Sequence, residues 1–249
     1  MFSKIKDLHQ TIRMTDEAAQ TDVWELFYHA GINGRSAYIR LIFEELGIPY
    51  KDMIKCREDT MKYFYSKDKL TGFPVLFPPV IRKGDIQLGQ TSVICKYLGE
   101  KYGLVPDNEQ DKWRADMINT ELHDYLAQGR LAFHGIHPTA SYFTQVEETK
   151  PYIERFAGER IPKYLSYFES VLKYNNGGKG FLFGDKLTYV DLTLFWVLKA
   201  TEASYPDAWK CADFCPLLKS FRDRIERRPN IAAYLNSDRF VPLENNSMM

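Results

Sequence analysis

Tyr28 closes an apolar, aromatic-rich run from Val23 to His29. A tyrosine hydroxyl has a pKa of about 10, so at neutral pH it is a hydrogen-bond donor rather than a phenolate base. Gln90-Thr91-Ser92 opens a helical pattern. A helix N-terminus presents unpaired N–H groups and the positive end of a dipole, which suits an anion, and the Thr91 hydroxyl adds a donor. The same hydroxyls also serve as an ordinary cap. His134 and His137 form an H-x-x-H pair, but a zinc site needs about three protein ligands and nothing nearby completes one. No metal or cofactor is expected. Cys56, Cys95, Cys211 and Cys215 have neither zinc-ribbon nor C-x-x-C spacing and read as reduced, space-filling thiols.

The elements that must position these groups fall into two kinds. Val23 to His29 alternates as a strand, with Trp24, Leu26 and Tyr28 on one face. Asn33-Gly34 breaks it, and Ile39, Ile42, Phe43 and Leu46 then recur at helical spacing until Gly47 and Pro49 end the pattern. Tyr50 to Lys55 reads as a second strand, parallel to the first across a right-handed βαβ crossover. After a polar stretch from Cys56 to Gly72, Pro74-Val75-Leu76-Phe77 reads as a third strand, Ile86 to Leu88 as a fourth, and Thr91 to Tyr102 as a helix. The result is a small mixed α/β domain, βαβ followed by ββα.

Beyond Pro106 only helical periods remain, in Met117, Ile118, Leu122, Tyr125 and Leu126, then Ile161, Leu165, Phe168 and Leu172. Thr188 with Asp191 forms a capping box, stapled by Leu187 and Leu192. The helix it opens is apolar nearly all round and belongs at the centre of an all-α domain. The expected division is an extension over 1–21, an α/β domain over 22–103, a helical domain over 108–240 and a tail over 241–249.

Lys plus Arg equals Asp plus Glu at 33 each, so no net field draws the chain onto nucleic acid or an anionic membrane. Arg222, Arg224, Arg227 and Arg228 alternate with acids, as on a solvated helix face. No apolar run approaches the roughly 20 residues of a membrane span. Residues 1–21 lack the apolar core of a secretory signal, and Asp7, Asp16 and Glu17 argue against an organelle-targeting helix. A cytoplasmic protein with a disordered or loosely docked extension is expected.

Several segments, at these spacings, resemble the cytosolic glutathione transferases over residues 23 to about 236. They are Leu26-Phe27-Tyr28 before a Gly-Arg and a helix ending in Leu46-Gly47; Gly72-Phe73-Pro74-Val75-Leu76; Gln90-Thr91-Ser92; Gly184-Asp185-Lys186-Leu187-Thr188 running to Asp191; and Arg228-Pro229-Asn230-Ile231. The tyrosine-type classes, sigma, pi, mu and alpha, are most similar, with the His29–Asn33 loop one residue longer than in sigma and pi forms. The resemblance implies a thioredoxin-like N-terminal domain, an all-α C-terminal domain, a homodimer and an enzyme conjugating glutathione to small hydrophobic electrophiles. Alternatives on the same fold are a glutathione-dependent isomerase or peroxidase, and a non-catalytic ligand-binding protein.

The resemblance also implies roles. A free thiol has a pKa near 8.5, so only about 3% is thiolate at pH 7, and a donated hydrogen bond must stabilise the anion. Tyr28 is the expected donor, with Ser36 the runner-up. Pro74 resembles the family's cis-proline, leaving the backbone of Phe73 to pair with the cysteinyl part of glutathione. Gln90 and Thr91 would hold the γ-glutamyl carboxylate, and Asp124 would reach across the dimer to the γ-glutamyl amine. Lys67 or Lys69, with Tyr63 or Tyr65 nearby, would meet the glycyl carboxylate. Ala30, Ile32, Arg130, His134 and Phe240 would line the electrophile pocket.

Overall fold

The computed structural model describes residues 23–66, 70–243 and 247–248. The N-terminal extension therefore lies outside the described residues. In chain order the main elements are β1 (Trp24–Phe27), α1 (Ala37–Glu45), β2 (Tyr50–Asp52), α2 (Arg57–Thr60), β3 (Val80–Lys83), β4 (Ile86–Gly89) and α3 (Thr91–Tyr102). Then follow α4 (Glu109–His134), α5 (Val146–Arg155), α6 (Ile161–Tyr174), α7 (Tyr189–Ser204), α8 (Pro206–Lys210), α9 (Pro216–Glu226) and α10 (Pro229–Leu235). The described residues divide into two compact units, one within 23–31 and 48–90, the other within 32–47 and 91–248.

The first unit holds a four-stranded sheet in the order β2-β1-β3-β4. β1 and β2 are parallel, whereas β3 runs antiparallel to both β1 and β4. Lys83 pairs with Ile86, so Gly84-Asp85 is a two-residue hairpin turn, and Gly84 takes the left-handed φ of +54° that such a turn favours. Phe27, Ile54 and Val80 form a buried cluster joined by Ala30, Met53, Tyr63, Phe64, Leu70 and Val75.

The third strand is not where hydrophobicity alone places it. Residues 74–77 form no strand, and Leu76 and Phe77 are exposed. The reason is proline chemistry: Pro74, Pro78 and Pro79 lack the N–H that a ladder requires. The strand begins at the first donor after them, Val80, where two β-branched residues suit the pleat.

In the second unit α7 is buried on all sides from Tyr189 through Leu198. Its capping box forms. The buried Asp191 carboxylate accepts the Thr188 N–H and hydroxyl, both at 2.7 Å, and the Leu182 N–H at 2.8 Å. Burial pushes this carboxyl up to about 6 against those three hydrogen bonds. Of the arginines near the end of the chain, Arg227 is exposed, whereas Arg222, Arg224 and Arg228 are half-buried and depart from a solvated face. Arg222 donates to Asp223 at 2.8 Å and is paired with Glu202, Arg224 donates to the Gly180 carbonyl at 2.5 Å, and Arg228 is paired with Glu45. Cys95 and Cys215 are buried, but Cys56 and Cys211 are exposed free thiols, so these two do not fill interior space.

Candidate functional site

The ladder register sets out the site. Phe27 pairs with Val80, and Val80 with Gly89. One step past this last triplet, at the same end of the sheet, stand Tyr28, Pro79 and Gln90. Adjacent strands lie roughly 4.8 Å apart, so the three residues form one row. Tyr28 is 6% exposed, and its ring meets the ring of half-buried His29 edge-on at 5.1 Å. Gln90 has φ of +65°, which a non-glycine residue seldom adopts. Such strain persists where the surrounding structure imposes it, and it clusters at functional sites.

The cis peptide joins Pro78 and Pro79; the bond from Phe73 to Pro74 is not cis. The expected assignment of Phe73 and Pro74 is therefore corrected. Phe73 is 79% exposed, and its carbonyl accepts from the side chain of Gln87, three residues before Gln90 on β4. It lines a cavity of about 590 Å³ with Val23, Glu25, Arg82 and Lys83, towards the opposite end of β1 from Tyr28. Pro78 and Pro79 take the place beside Tyr28. The signal for them lies in the sequence: counting back from Gln90 through the Gly84-Asp85 turn puts Pro79 opposite Gln90.

Thr91 begins α3 in the second unit and is 3% exposed. Among the described residues its buried hydroxyl has no hydrogen-bond partner. It does not act as a cap, and it leaves a donor available at a helix N-terminus. Ser36 is committed elsewhere. Its hydroxyl donates to the Asn33 carbonyl at 2.6 Å and accepts from Arg40 Nη1 at 2.6 Å, so its one proton is not open to a thiol. Asn33 Oδ1 also accepts from Arg40 at 3.2 Å, which fixes the approach to α1.

Lys67 and Lys69 lie outside the described residues. Of the two tyrosines near them, Tyr63 packs on Phe27 at 5.0 Å and Tyr65 is exposed. Asp124 is exposed on α4. The residues expected around an electrophile are each described by their own surroundings. Ala30 packs into the Phe27 cluster of the first unit, and Ile32 is exposed. Arg130 Nη2 donates to the Pro138 carbonyl at 2.8 Å, and His134 Nδ1 lies 3.1 Å from the Ala140 oxygen, so both tie the end of α4 to the following turn. Burial lowers the pKa of His134. Phe240 packs instead against Tyr234 and Trp196, at 5.6 and 6.4 Å.

A four-stranded mixed sheet with Tyr28, Pro79 and Gln90 at one end, followed by a helical region, defines a thioredoxin-like domain joined to an all-α C-terminal domain. Comparison with known proteins agrees. Residues 133–238 match the family model described as Glutathione S-transferase, C-terminal domain. The chain is 33% identical over 219 residues to a glutathione S-transferase of Plasmodium falciparum, covering 85% of this chain and 95% of that one. It is 28% identical to human glutathione S-transferase P over 86% of this chain and 93% of the relative. Among solved structures, a pi-class glutathione S-transferase of Onchocerca volvulus superposes with a TM-score of 0.67 at 25% identity, over 85% of this chain and 91% of that one. The chain belongs to the glutathione S-transferase family.

Proposed function

We propose that this transferase joins the thiolate of glutathione to small hydrophobic electrophiles, with Tyr28 donating a hydrogen bond to the sulfur. The observation that carries this reading is the row of Tyr28, Pro79 and Gln90 fixed by the sheet register. A γ-glutamyl carboxylate at one end of the row meets Gln90 and the unpartnered Thr91 hydroxyl. The cysteinyl part lies along Pro78, whose carbonyl accepts its N–H; proline offers no N–H in return. The sulfur then reaches Tyr28. A hydrogen bond that lowers the thiol pKa by about two units corresponds to roughly 2.7 kcal/mol of differential stabilisation, and raises the thiolate from a few per cent to the major form at pH 7.

The protein acts as a homodimer in which Asp124 reaches the γ-glutamyl amine bound to the partner subunit; the exposure of Asp124 supports this. The four free thiols fit a reducing cytoplasm. The reading is tested by conjugation of glutathione to a generic aromatic halide, comparing the native chain with Tyr28→Phe and Thr91→Ala. Tyr28→Phe should lose kcat with little change in KM, and Thr91→Ala should raise the KM for glutathione. A native protein that gives no rate above buffer would sink the proposal. Sedimentation should give twice the 29.1 kDa chain mass.

A further inference from the structure

We propose that the slot over Gly129 is a binding site for a small acylated thioether, and that the chain's own Ser247-Met248 fills it in competition with such a ligand. All the residues concerned belong to the second unit. The proposal does not depend on the transferase chemistry.

The slot reads two features of what it holds. Met248 is fully buried, and a Cβ on residue 129 would overlap its Sδ, so the thioether lies directly on the backbone of α4. The same Cβ would stand 3.2 Å from Phe156 Cε1. Behind it the Phe156 ring packs on Tyr205 at 5.3 Å and on Tyr125 at 5.5 Å, and Phe133 packs on Tyr205 at 5.3 Å. An aromatic wall suits a polarizable sulfur on an unbranched chain. The second feature is polar. The Ser204 hydroxyl donates at 2.7 Å to the Ser247 carbonyl, which is the acyl group on the Met248 nitrogen. An acyl oxygen and an unbranched thioether at that spacing make an N-acylmethionine, the unit that any methionyl peptide carries.

The site is built without the tail. The Tyr205 hydroxyl donates to the Gly129 carbonyl at 3.0 Å, the Tyr205 N–H donates to the Thr201 carbonyl at 2.8 Å, and the Tyr125 and Thr201 hydroxyls pair at 3.0 Å. None of these bonds involves Ser247 or Met248, so the wall stands when they leave, and Gly129 has no side chain to fill the space. The tail's own hold is small. Two packed residues bring limited burial to set against the entropy of ordering the backbone, and a segment of that kind opens locally. An apolar space so vacated takes an apolar molecule in preference to water. A ligand of the same chemistry therefore competes with Met248, and its apparent affinity is reduced by the fraction of molecules in which the slot is open.

The test uses N-acetylmethionine N-methylamide as the probe and N-acetylvaline N-methylamide as the branched control. In the full chain, isotope-labelled at its methionine methyl groups, the surrounding rings set the Met248 methyl resonance apart. The probe should move that resonance to the position of an exposed methionine, and the control should leave it in place. By calorimetry, full-length Met248→Ser and the chain ending at Asn246, both checked for native circular dichroism, should bind the probe at least ten-fold more tightly than the native chain. That is the factor expected when the tail fills the slot in nine molecules of ten. In the Met248→Ser background, Ser204→Ala should weaken the probe about five-fold, as loss of one hydrogen bond does, and Gly129→Ala should abolish binding. Failure of the Met248→Ser chain to bind the probe overturns the proposal. So does equal affinity in the native and Met248→Ser chains, probe binding that survives Gly129→Ala, or a Met248 resonance that stays in place at saturating probe.

Discussion

Gly129 lies in the interior of α4, a 26-residue helix, where glycine is about 1 kcal/mol less favourable than alanine. The C-terminal tail explains it. Met248 is fully buried, and a Cβ at position 129 would lie 1.9 Å from its Sδ and 3.1 Å from its Cγ. The Ser204 hydroxyl also donates to the Ser247 carbonyl at 2.7 Å, and the Tyr205 hydroxyl to the Gly129 carbonyl at 3.0 Å. Gly129→Ala must evict Met248. Emptying a buried methionine site costs about 2 kcal/mol at the low end of truncation data, against a helix gain of about 1 kcal/mol. The full chain should therefore lose about 1 kcal/mol. In a chain truncated after Asn246 the remaining close neighbour is a Phe156 ring carbon at 3.2 Å, which a shift of a few tenths of an ångström relieves, and the same substitution should stabilise by up to about 1 kcal/mol. Urea unfolding of the four proteins in this cycle gives an expected coupling of about 2 kcal/mol. Equal stabilisation by alanine in both backgrounds would show that Met248 does not occupy the space above Gly129.

Three further outcomes follow from the site and core. Pro78→Val supplies an N–H where the ligand's main chain should lie, so the KM for glutathione should fall about five-fold, the equivalent of one net hydrogen bond of about 1 kcal/mol; an unchanged or raised KM counts against that placement. Gln90→Gly removes the cost of a left-handed φ, so the thermal midpoint should rise by the equivalent of roughly 1 kcal/mol while glutathione binding weakens; improved binding would refute a ligand role for Gln90. Asp191 has a folded-state pKa of about 6, above its unfolded value near 3.9. A raised acid pKa gives stability that is complete below the unfolded value and lost as pH rises through the folded one, here by up to about 3 kcal/mol. Urea midpoints should show the native chain gaining on Asp191→Asn when pH is lowered from neutral to about 4.5, and a gain in the other direction would contradict the sign.

Much of the fold was legible because periodicity reports directly on which face is buried. Ile39, Ile42 and Phe43 recur as a helix must, and all three are buried in α1. The Thr188–Asp191 cap was readable for a similar reason, since both partners lie within one turn. Tyr28 was legible as a polar tip at the end of a buried strand. Arg222 was not legible as a partly buried ion pair, because its partner Glu202 lies 20 residues away and only the packing of α7 with α9 joins them.

The third strand shows why composition failed at the point nearest the chemistry. Val75-Leu76-Phe77 carries more apolar surface than Val80-Ile81, so a hydrophobic reading prefers the earlier run. A strand, however, is selected by its donors as well as its side chains. Pairing has to be continuous from the hairpin backward, and the Gly84-Asp85 turn fixes Lys83 opposite Ile86, then Ile81 opposite Leu88, then Val80 opposite Gly89. The next residue back is Pro79, where a donor is missing and the ladder stops. The row beyond that stop is then free of strand partners and open to a ligand's main chain. The prolines that end the sheet thus place its binding edge beside Tyr28. Register counted from the turn locates that edge, whereas the apolar run before it leads to Phe73, near the other end of the sheet. The strain at Gln90 stays invisible to either count, because φ belongs to the backbone and leaves no mark on the residue type.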